Sequence, residues 1–276
     1  MEICEVPEPV DPNDHLALEV IPPARIAQLV EEVGVKKCAL PLQKLFVLAV
    51  LAGAFIAFGG VLYTLVVTDS ALGFGVTRLV GGLAFSLGLI LVVIGGAELF
   101  TGNSLIVMAW ADRRVTLPAM LRNWVCVYIG NLVGSLLMVA LVHYAGVLDL
   151  GGGSVARTAI TIAEGKLSLG SGEAILRGVL CNVLVCLAIW MCFAARTAAG
   201  KVPLLMLPVA AFVALGFEHS VANMYLIPIA MLQPSMEMTV LDFLQNLIPV
   251  TFGNMIGGGG LVAAVYWLVY LRGSGQ

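Results

Sequence analysis

The chain has 276 residues, of which 60% are hydrophobic and only 11% are charged, and its mean hydropathy is +1.02. A water-soluble protein of this length would need many more charged residues to cover its surface. The net charge of -3 provides no basic surface for nucleic acid, so we expect no nucleic-acid partner. The composition therefore excludes a soluble protein and predicts a multi-pass membrane protein surrounded by lipid.

The first 43 residues differ from the rest of the chain because they are polar and rich in proline. Within them, four apolar residues follow one helical face: Ile26, Leu29, Val30 and Val33. This spacing predicts an amphipathic helix at about residues 24–37, inside a cytoplasmic segment that covers residues 1–43. Two positions are open for this helix: it lies on the cytoplasmic surface of the membrane, or it packs against neighbouring helices.

Six apolar runs follow, and we predict that they form a single transmembrane pore domain at residues 44–271, before a cytoplasmic tail at 272–276. The runs cover residues 45–67, 79–111, 123–148, 179–195, 202–236 and 243–271. As one continuous helix, the second or the fifth run would extend ~50 Å, whereas the hydrocarbon core of a membrane is ~30 Å thick. We therefore predict that both helices are broken at membrane depth, where non-helical backbone must be buried or must line a cavity.

Two spacings of polar residues occur twice in these runs. Gly-x-Glu-x4-Asn starts at Gly96 and again at Gly216, and Asn-x6-Gly-Asn-x2-Gly starts at Asn123 and again at Asn246. The repetition predicts a duplicated protein with three spans in each half, and three is an odd number, so the second half is inserted upside down. The repeats are predicted at about residues 44–148 and 172–271. The fold class is an all-α membrane protein with six transmembrane helices in two inverted repeats, in which the second and fifth helices are broken.

The distribution of Lys and Arg predicts how the spans are oriented. With the N-terminus in the cytoplasm, ten of these residues fall in cytoplasmic segments and four fall in outside segments. Cytoplasmic segments of membrane proteins carry an excess of basic residues. We therefore expect a protein of the bacterial inner membrane with both termini in the cytoplasm.

Four stretches carry a resemblance to a known family: VIGGAELFTG (93–102), GVLCNVLVCLA (178–188), GFEHSVANMYLIP (216–228) and NLIPVTFGNMIGGG (246–259). They resemble the formate/nitrite transporter family, and FSLGLILVV (85–93) with FEHSVANM (217–224) is similar to its formate-channel branch. The resemblance implies an aquaporin-like hourglass fold in a homopentamer, with one pore in each protomer for small monovalent anions of weak acids. We expect formate to be the main substrate, with nitrite or hydrosulfide as alternatives. Transport is expected to be either passive or coupled to protons.

Two polar residues of the predicted breaks are candidates for contact with the anion. His219 lies within the second break, and an ionisable side chain at membrane depth indicates a functional site because its burial is costly. Its imidazole can donate a hydrogen bond to an anion or exchange a proton with it; alternatively, it is a buried histidine paired with Glu218 or with a backbone carbonyl. Thr101 offers a hydroxyl from the first break, or it only caps the helix that follows. The resemblance places Thr101 opposite the pore histidine.

The charged residues of the breaks are predicted to support the pore. Glu98 and Glu218 would repel an anion if they were ionised inside it, so we expect them to be hydrogen-bonded behind the breaks, with Asn103 and Asn223 as further supports. Lys166 matches the vestibule lysine of the family by resemblance, and a cation at a pore mouth concentrates anions. The alternative for Lys166 is a solvated surface charge in a loop.

The resemblance also implies two hydrophobic constrictions, which exclude hydrated ions. Their residues are Phe85, Leu89 and Phe212 at one constriction, and Leu99 and Phe100 at the other. Asn182 and Asn254 lie in apolar helices, where they either hydrogen-bond across helices or line the pore. We expect neither a cofactor nor a metal ion. A membrane enzyme or a structural subunit is a distant alternative, since the sequence contains no HExxH motif and no P-loop.

Overall fold

The computed structural model describes residues 20–234 and 237–273, and this part of the chain is helical, without β-strands. The first half contains α1 (Pro23–Ala39), α2 (Leu42–Val67), α3 (Phe74–Gly95), a 3-10 helix (Gly102–Ile106) that continues into α4 (Val107–Ala111), α5 (Leu117–Tyr144) and a 3-10 turn (Val147–Asp149). The second half contains α6 (Ser154–Leu167), α7 (Ser171–Ala194), α8 (Ala198–Ala214), α9 (Ser220–Met231), α10 (Val240–Met255), a π-helical stretch (Ile256–Ala264) and α11 (Val265–Tyr270). Residues 1–19 of the predicted N-terminal segment and 274–276 of the predicted tail lie outside the described residues.

Within the described residues, five helical stretches are long and apolar enough to cross a membrane. They are Leu42–Val67, Phe74–Gly95, Leu117–Tyr144, Ser171–Ala194 and Val240–Tyr270. Three further apolar helices are shorter: Gly102–Ala111, Ala198–Ala214 and Ser220–Met231. The second and fifth apolar runs of the sequence are thus each divided between two helices. The chain is an all-α, multi-pass membrane protein.

Helix α1 packs against the body of the protein. Ile26, Ala27 and Val30 are at most 3% exposed, and the helix contacts the 3-10 helix and α4. Glu31 lies off the predicted apolar stripe, yet it is also buried, and its carboxylate forms an ion pair with Arg114 at 3.0 Å. Burial raises the pKa of Glu31, because a buried carboxylate loses its hydration. Of the two positions open for the amphipathic helix, the structure therefore shows the packed one.

Helix α6 lies between the third and fourth apolar runs, in a segment for which the sequence predicts no helix. The buried residues Val155, Ala159 and Ala163 recur every four positions and form one apolar helical face. Arg157, Glu164 and Lys166 interrupt this segment, so it does not form a long uncharged run in the sequence. Lys166 consequently lies in the last turn of a helix and not in a loop. Helix α7 also begins earlier than the fourth apolar run, because its first two turns contain charged residues.

Two helix pairs approach each other closely at matching positions of the two halves. Helix α2 packs on α5, and α7 packs on α10. A Cβ atom added at Gly134 would collide with the carbonyl group of Val50, and one added at Gly257 would collide with that of Val179. Small residues permit such contact between membrane helices. These glycines therefore serve packing within one chain.

Candidate functional site

The helical path is interrupted in the same way after α3 and after α8. Each helix is followed by a glycine with left-handed backbone, Gly96 with φ +74° and Gly216 with φ +73°. A residue with a Cβ atom would be strained there. The next N–H group, of Ala97 or of Phe217, donates to the carbonyl five positions earlier at 2.9 Å in both cases. We call residues 96–101 the first break and residues 215–219 the second break.

An asparagine side chain braces the first break. The Oδ1 atom of Asn131 accepts a hydrogen bond from the N–H group of Phe100 at 2.9 Å. Its Nδ2 atom donates to the carbonyl groups of Glu98 at 2.9 Å and Ala49 at 2.8 Å. One buried amide thus satisfies three backbone groups that have left the helical pattern. Asn131 belongs to the second repeated spacing, but it is not among the residues predicted to support the breaks.

Asn254 braces the second break with the same set of bonds. Its Oδ1 atom accepts from the N–H group of Ser220 at 2.9 Å, and its Nδ2 atom donates to the carbonyl groups of Glu218 at 2.9 Å and Gly178 at 2.8 Å. The side chain is fully buried. Its amide is therefore used for support across helices, which is the first of the two roles considered from the sequence.

A charged network lies behind the first break. The Nζ atom of Lys37 donates to Glu98 at 3.0 Å and to the Oδ1 atom of Asn103 at 2.8 Å. The amide of Asn103 donates to Glu98 at 2.8 Å and to the Oδ1 atom of Asn123 at 2.9 Å. Lys37 belongs to α1 and lies outside both repeated spacings, so the sequence pattern contains no direct signal for it.

The second break has a matching network. The Nζ atom of Lys166 donates to Glu218 at 3.0 Å. The amide of Asn223 donates to Glu218 and to the Oδ1 atom of Asn246, both at 2.7 Å. The amide of Asn246 returns to the backbone carbonyl of Lys166 at 2.8 Å. Each glutamate is therefore paired with a lysine and an asparagine.

His219 and Thr101 connect the two breaks. The Nε2 atom of His219 and the Oγ1 atom of Thr101 are 3.0 Å apart, and both side chains are buried. The Nδ1 atom of His219 accepts from the N–H group of Ala222 at 3.1 Å and so caps the start of α9. Because Nδ1 accepts a hydrogen bond, the imidazole proton of the neutral ring lies on Nε2 and is donated to Thr101. No hydrogen bond joins the ring to Glu218 among the described contacts, so the pairing of these two residues considered from the sequence is not found.

Asn182 links Thr101 of the first break to the backbone of Asn254, whose side chain braces the second break. Its Nδ2 atom lies 3.2 Å from the carbonyl oxygen of Thr101, 3.1 Å from the Oγ atom of Ser104 and 2.7 Å from the carbonyl oxygen of Asn254. Asn182 is fully buried. It is absent from the walls of both cavities described below. Its position next to Thr101 therefore supports a bracing role.

Two cavities approach the paired His219 and Thr101 from opposite ends. The α1-side cavity has a volume of about 290 Å³ and is lined by Lys37, Glu98 and Leu99, among others. The α6-side cavity has a volume of about 260 Å³ and is lined by His219 and Lys166, among others. The two cavities share no lining residue.

The predicted constriction residues are divided between the cavity walls and the packed interior. Phe85 and Phe212 line the α6-side cavity, and the ring of Phe212 stacks on that of His219 with 5.9 Å between centroids. Leu99 lines the α1-side cavity. Phe100 lines neither cavity and packs edge-on against neighbouring aromatic rings. Leu89 is buried and is also absent from both walls.

The chain was compared with known proteins. The family model described as formate/nitrite transporter matches residues 24–268. The formate channel FocA of Escherichia coli (strain K12) is 42% identical over 273 residues, which covers 92% of this chain and 96% of that protein. A solved structure described as a pentameric formate channel with formate bound is 43% identical with a TM-score of 0.78, covering 83% of this chain and 98% of that one. An FNT family ion channel is 28% identical with a TM-score of 0.81, covering 89% and 98%. This chain therefore belongs to the formate/nitrite transporter family.

Proposed function

We propose that this protein is a channel for small monovalent anions of weak acids, with formate as its first substrate. The observation that carries the proposal is the hydrogen bond between His219 and Thr101, because it joins the two breaks where two separate cavities approach each other. The similarity to formate channels supports formate as the substrate. Nitrite and hydrosulfide are the alternative substrates, and the family name supports nitrite.

We place the pore between two inverted three-helix repeats in an hourglass arrangement. The first repeat comprises α2, α3 with α4, and α5; the second comprises α7, α8 with α9, and α10 with α11. The proposal is supported by matching glycines, ion pairs and asparagine braces in the two breaks. The distribution of Lys and Arg supports cytoplasmic termini in a bacterial inner membrane. In that orientation the α1-side cavity faces the cytoplasm.

The assembly proposed is a homopentamer with one pore in each protomer. A similar solved structure is described as pentameric. Large apolar side chains on the outer faces of the helices, such as Phe58 and Leu141, are 47% and 64% exposed in the single chain. Such surfaces fit lipid and neighbouring protomers. The pore itself needs no residue from a neighbour, because both breaks belong to one chain.

The passage of an anion requires donors that replace its hydration. A bare anion between apolar side chains such as Leu99 and Phe212 is strongly disfavoured. The Nε2–H group of His219 can donate its hydrogen bond to the anion instead of to the Thr101 oxygen. The hydroxyl hydrogen of Thr101 is not used in its bond with His219 and can be donated to the same anion. Two donors on opposite breaks therefore hold the anion for a short time in the narrowest part of the path.

The geometry favours a neutral, donating His219 over a histidine that exchanges protons. A protonated ring would carry a hydrogen on Nδ1, opposite the N–H group of Ala222, which already donates to that atom at 3.1 Å. Two donors would then face each other, and the cap of α9 would be lost. We therefore propose that His219 serves as a hydrogen-bond donor and that any proton follows the anion by another route.

The test is the uptake of labelled formate into proteoliposomes that contain the purified protein. A channel produces uptake that follows the formate gradient, and His219→Phe reduces it because the donor is removed at similar bulk. The oligomeric state of this variant, measured by native mass, serves as the control for assembly. A membrane enzyme or structural subunit would produce no uptake with the wild-type protein, and this result would refute the proposal.

A further inference from the structure

We propose that Arg78 is the cation that draws anions into the α6-side cavity, and that Lys166 does not have this role although it lines the same cavity. The inference rests on the proposed function and deepens it, because it names the residue that selects anions at one mouth of the pore. Both side chains belong to the cavity wall, together with Arg177. The three cations differ in their partners, and this difference decides which of them acts on an approaching anion.

Arg78 lies near the start of α3, where it meets the end of α8. Its guanidinium donates hydrogen bonds to the carbonyl oxygen of Val213 at 2.9 Å and to that of Ala214. It also lies 5.6 Å from the centroid of the Phe74 ring. A planar guanidinium with two carbonyl acceptors and one aromatic neighbour has little freedom to move. The positive charge is thus held at the cavity wall.

The carbonyl groups that Arg78 binds would repel an anion if they were left free. The C-terminal end of a helix carries a negative partial charge from its unpaired carbonyl groups, and α8 ends at the wall of the α6-side cavity. Arg78 donates hydrogen bonds to the carbonyl groups of Val213 and Ala214, and Arg177 donates one to the carbonyl group of Gly216 at 3.0 Å. The two guanidinium groups therefore convert an anion-repelling helix end into a surface with positive charge.

The other two cations of this wall are neutralised by carboxylates. Lys166 is paired with Glu218 at 3.0 Å, with side-chain exposures of 14% and 5%, and Arg177 is paired with Glu173 at 2.6 Å. Arg78 forms no ion pair within residues 20–234 and 237–273. A paired charge and its counter-charge largely cancel at the distance of an approaching ion. Among the three cations of this wall, Arg78 is therefore the one whose charge no carboxylate of the described residues compensates.

The experiment compares Arg78→Gln with the matched control Arg157→Gln. Arg157 is an exposed arginine of α6 that is absent from the cavity wall. The initial rate of labelled formate uptake into proteoliposomes is measured at low and at physiological ionic strength, where charges act over ~30 Å and ~8 Å respectively. We expect Arg78→Gln to reduce the rate about three- to tenfold at low ionic strength and much less at the higher one. Arg157→Gln should reduce the rate at low ionic strength clearly less than Arg78→Gln, because Arg157 lies outside the cavity wall.

A third variant separates the charge of Arg78 from its hydrogen bonds. Arg78→Lys keeps the charge but cannot form the same two-pronged contact, so it should restore most of the uptake at low ionic strength. The inference is overturned if Arg78→Gln has the wild-type rate at low ionic strength. It is also overturned if the loss is equal at both ionic strengths and Arg78→Lys shares it, because the arginine is then only a helix cap. Absence of uptake by the wild-type protein would instead refute the proposed function.

Discussion

The Nε2 atom of His219 and the Oγ1 atom of Thr101 lie 3.0 Å apart although 118 residues separate them in the chain. Each belongs to a different break, and each is held from behind by backbone bonds: His219 caps α9 through Ala222, and the carbonyl of Thr101 is bound by Asn182. The distance therefore depends on both breaks keeping their shape. Substitutions of the asparagines that brace the breaks should alter the distance between His219 and Thr101.

Substitutions at His219 should separate the roles of its two nitrogen atoms, which are the capping of α9 by Nδ1 and the hydrogen bond donated by Nε2. In His219→Asn the side-chain oxygen can still cap α9, as asparagine commonly does at this position, but no donor reaches the anion. In His219→Gln the longer amide can place a donor near the former Nε2 atom, while the cap is weakened. We expect His219→Asn to assemble normally and to lose formate uptake, and His219→Gln to retain more uptake with lower thermal stability. The reverse ranking of the two uptake rates would contradict the donor role.

The pH dependence of transport tests whether His219 exchanges protons. Histidine ordinarily changes charge between pH 5 and 8. If the ring remains neutral with its proton on Nε2, the uptake of formate over this range should follow the supply of substrate alone. His219→Gln, which has no titrating ring, should then show a pH profile with the wild-type shape at a lower rate. A profile that becomes flat in this variant would show that the histidine supplies or accepts a proton.

The ion pair between Lys166 and Glu218 is predicted to act on stability and not on the attraction of anions. Removal of one partner from a buried pair leaves an uncompensated charge, which costs about 3–5 kcal/mol. Lys166→Met should therefore lower the melting temperature and the yield of assembled protein. The double variant Lys166→Met/Glu218→Gln should recover much of this loss, because no charge is left unpaired. Lys44→Met removes an exposed lysine and serves as the control; an equal loss in that variant would rule out the explanation.

Two neighbouring glycines provide a matched test of helix packing. A Cβ atom at Gly257 would collide with the backbone of Val179, whereas one at Gly260 would meet no atom within 4 Å. We expect Gly257→Ala to push the π-helical stretch away from α7 and to destabilise the protein by about 1–3 kcal/mol. Gly260→Ala should have little effect on stability or uptake. Thermal unfolding in detergent measures the difference, and equal stability of the two variants would contradict the packing argument.

Part of the site is visible in the sequence because it is duplicated. The two glutamates and the asparagines that follow them recur at a fixed offset. This repetition predicts that they support the two breaks from behind. Asn131 belongs to the same repetition and was passed over, since the spacing alone does not tell a brace from a packing residue. Lys37 has no signal of this kind, because its contact with Glu98 is made by the packing of α1 against the first break. Phe100 is assigned to a constriction by resemblance alone, and the sequence does not show that its ring packs edge-on against Trp124 and Tyr128.

Composition and residue spacing are enough to predict the all-α membrane class, the repeated polar motifs and the two apolar runs that are too long for one helix. These follow from hydropathy, chain length and residue spacing, which act locally. Only the tertiary structure shows which cations of the cavity wall have a carboxylate partner. Lys166 and Arg177 have one, whereas Arg78 donates to backbone carbonyl groups. The tertiary structure also decided the tautomer of His219, because the N–H group of Ala222 occupies one ring nitrogen and leaves the other for Thr101. Such properties depend on distances of a few ångströms between distant parts of the chain, which spacing along the sequence does not contain.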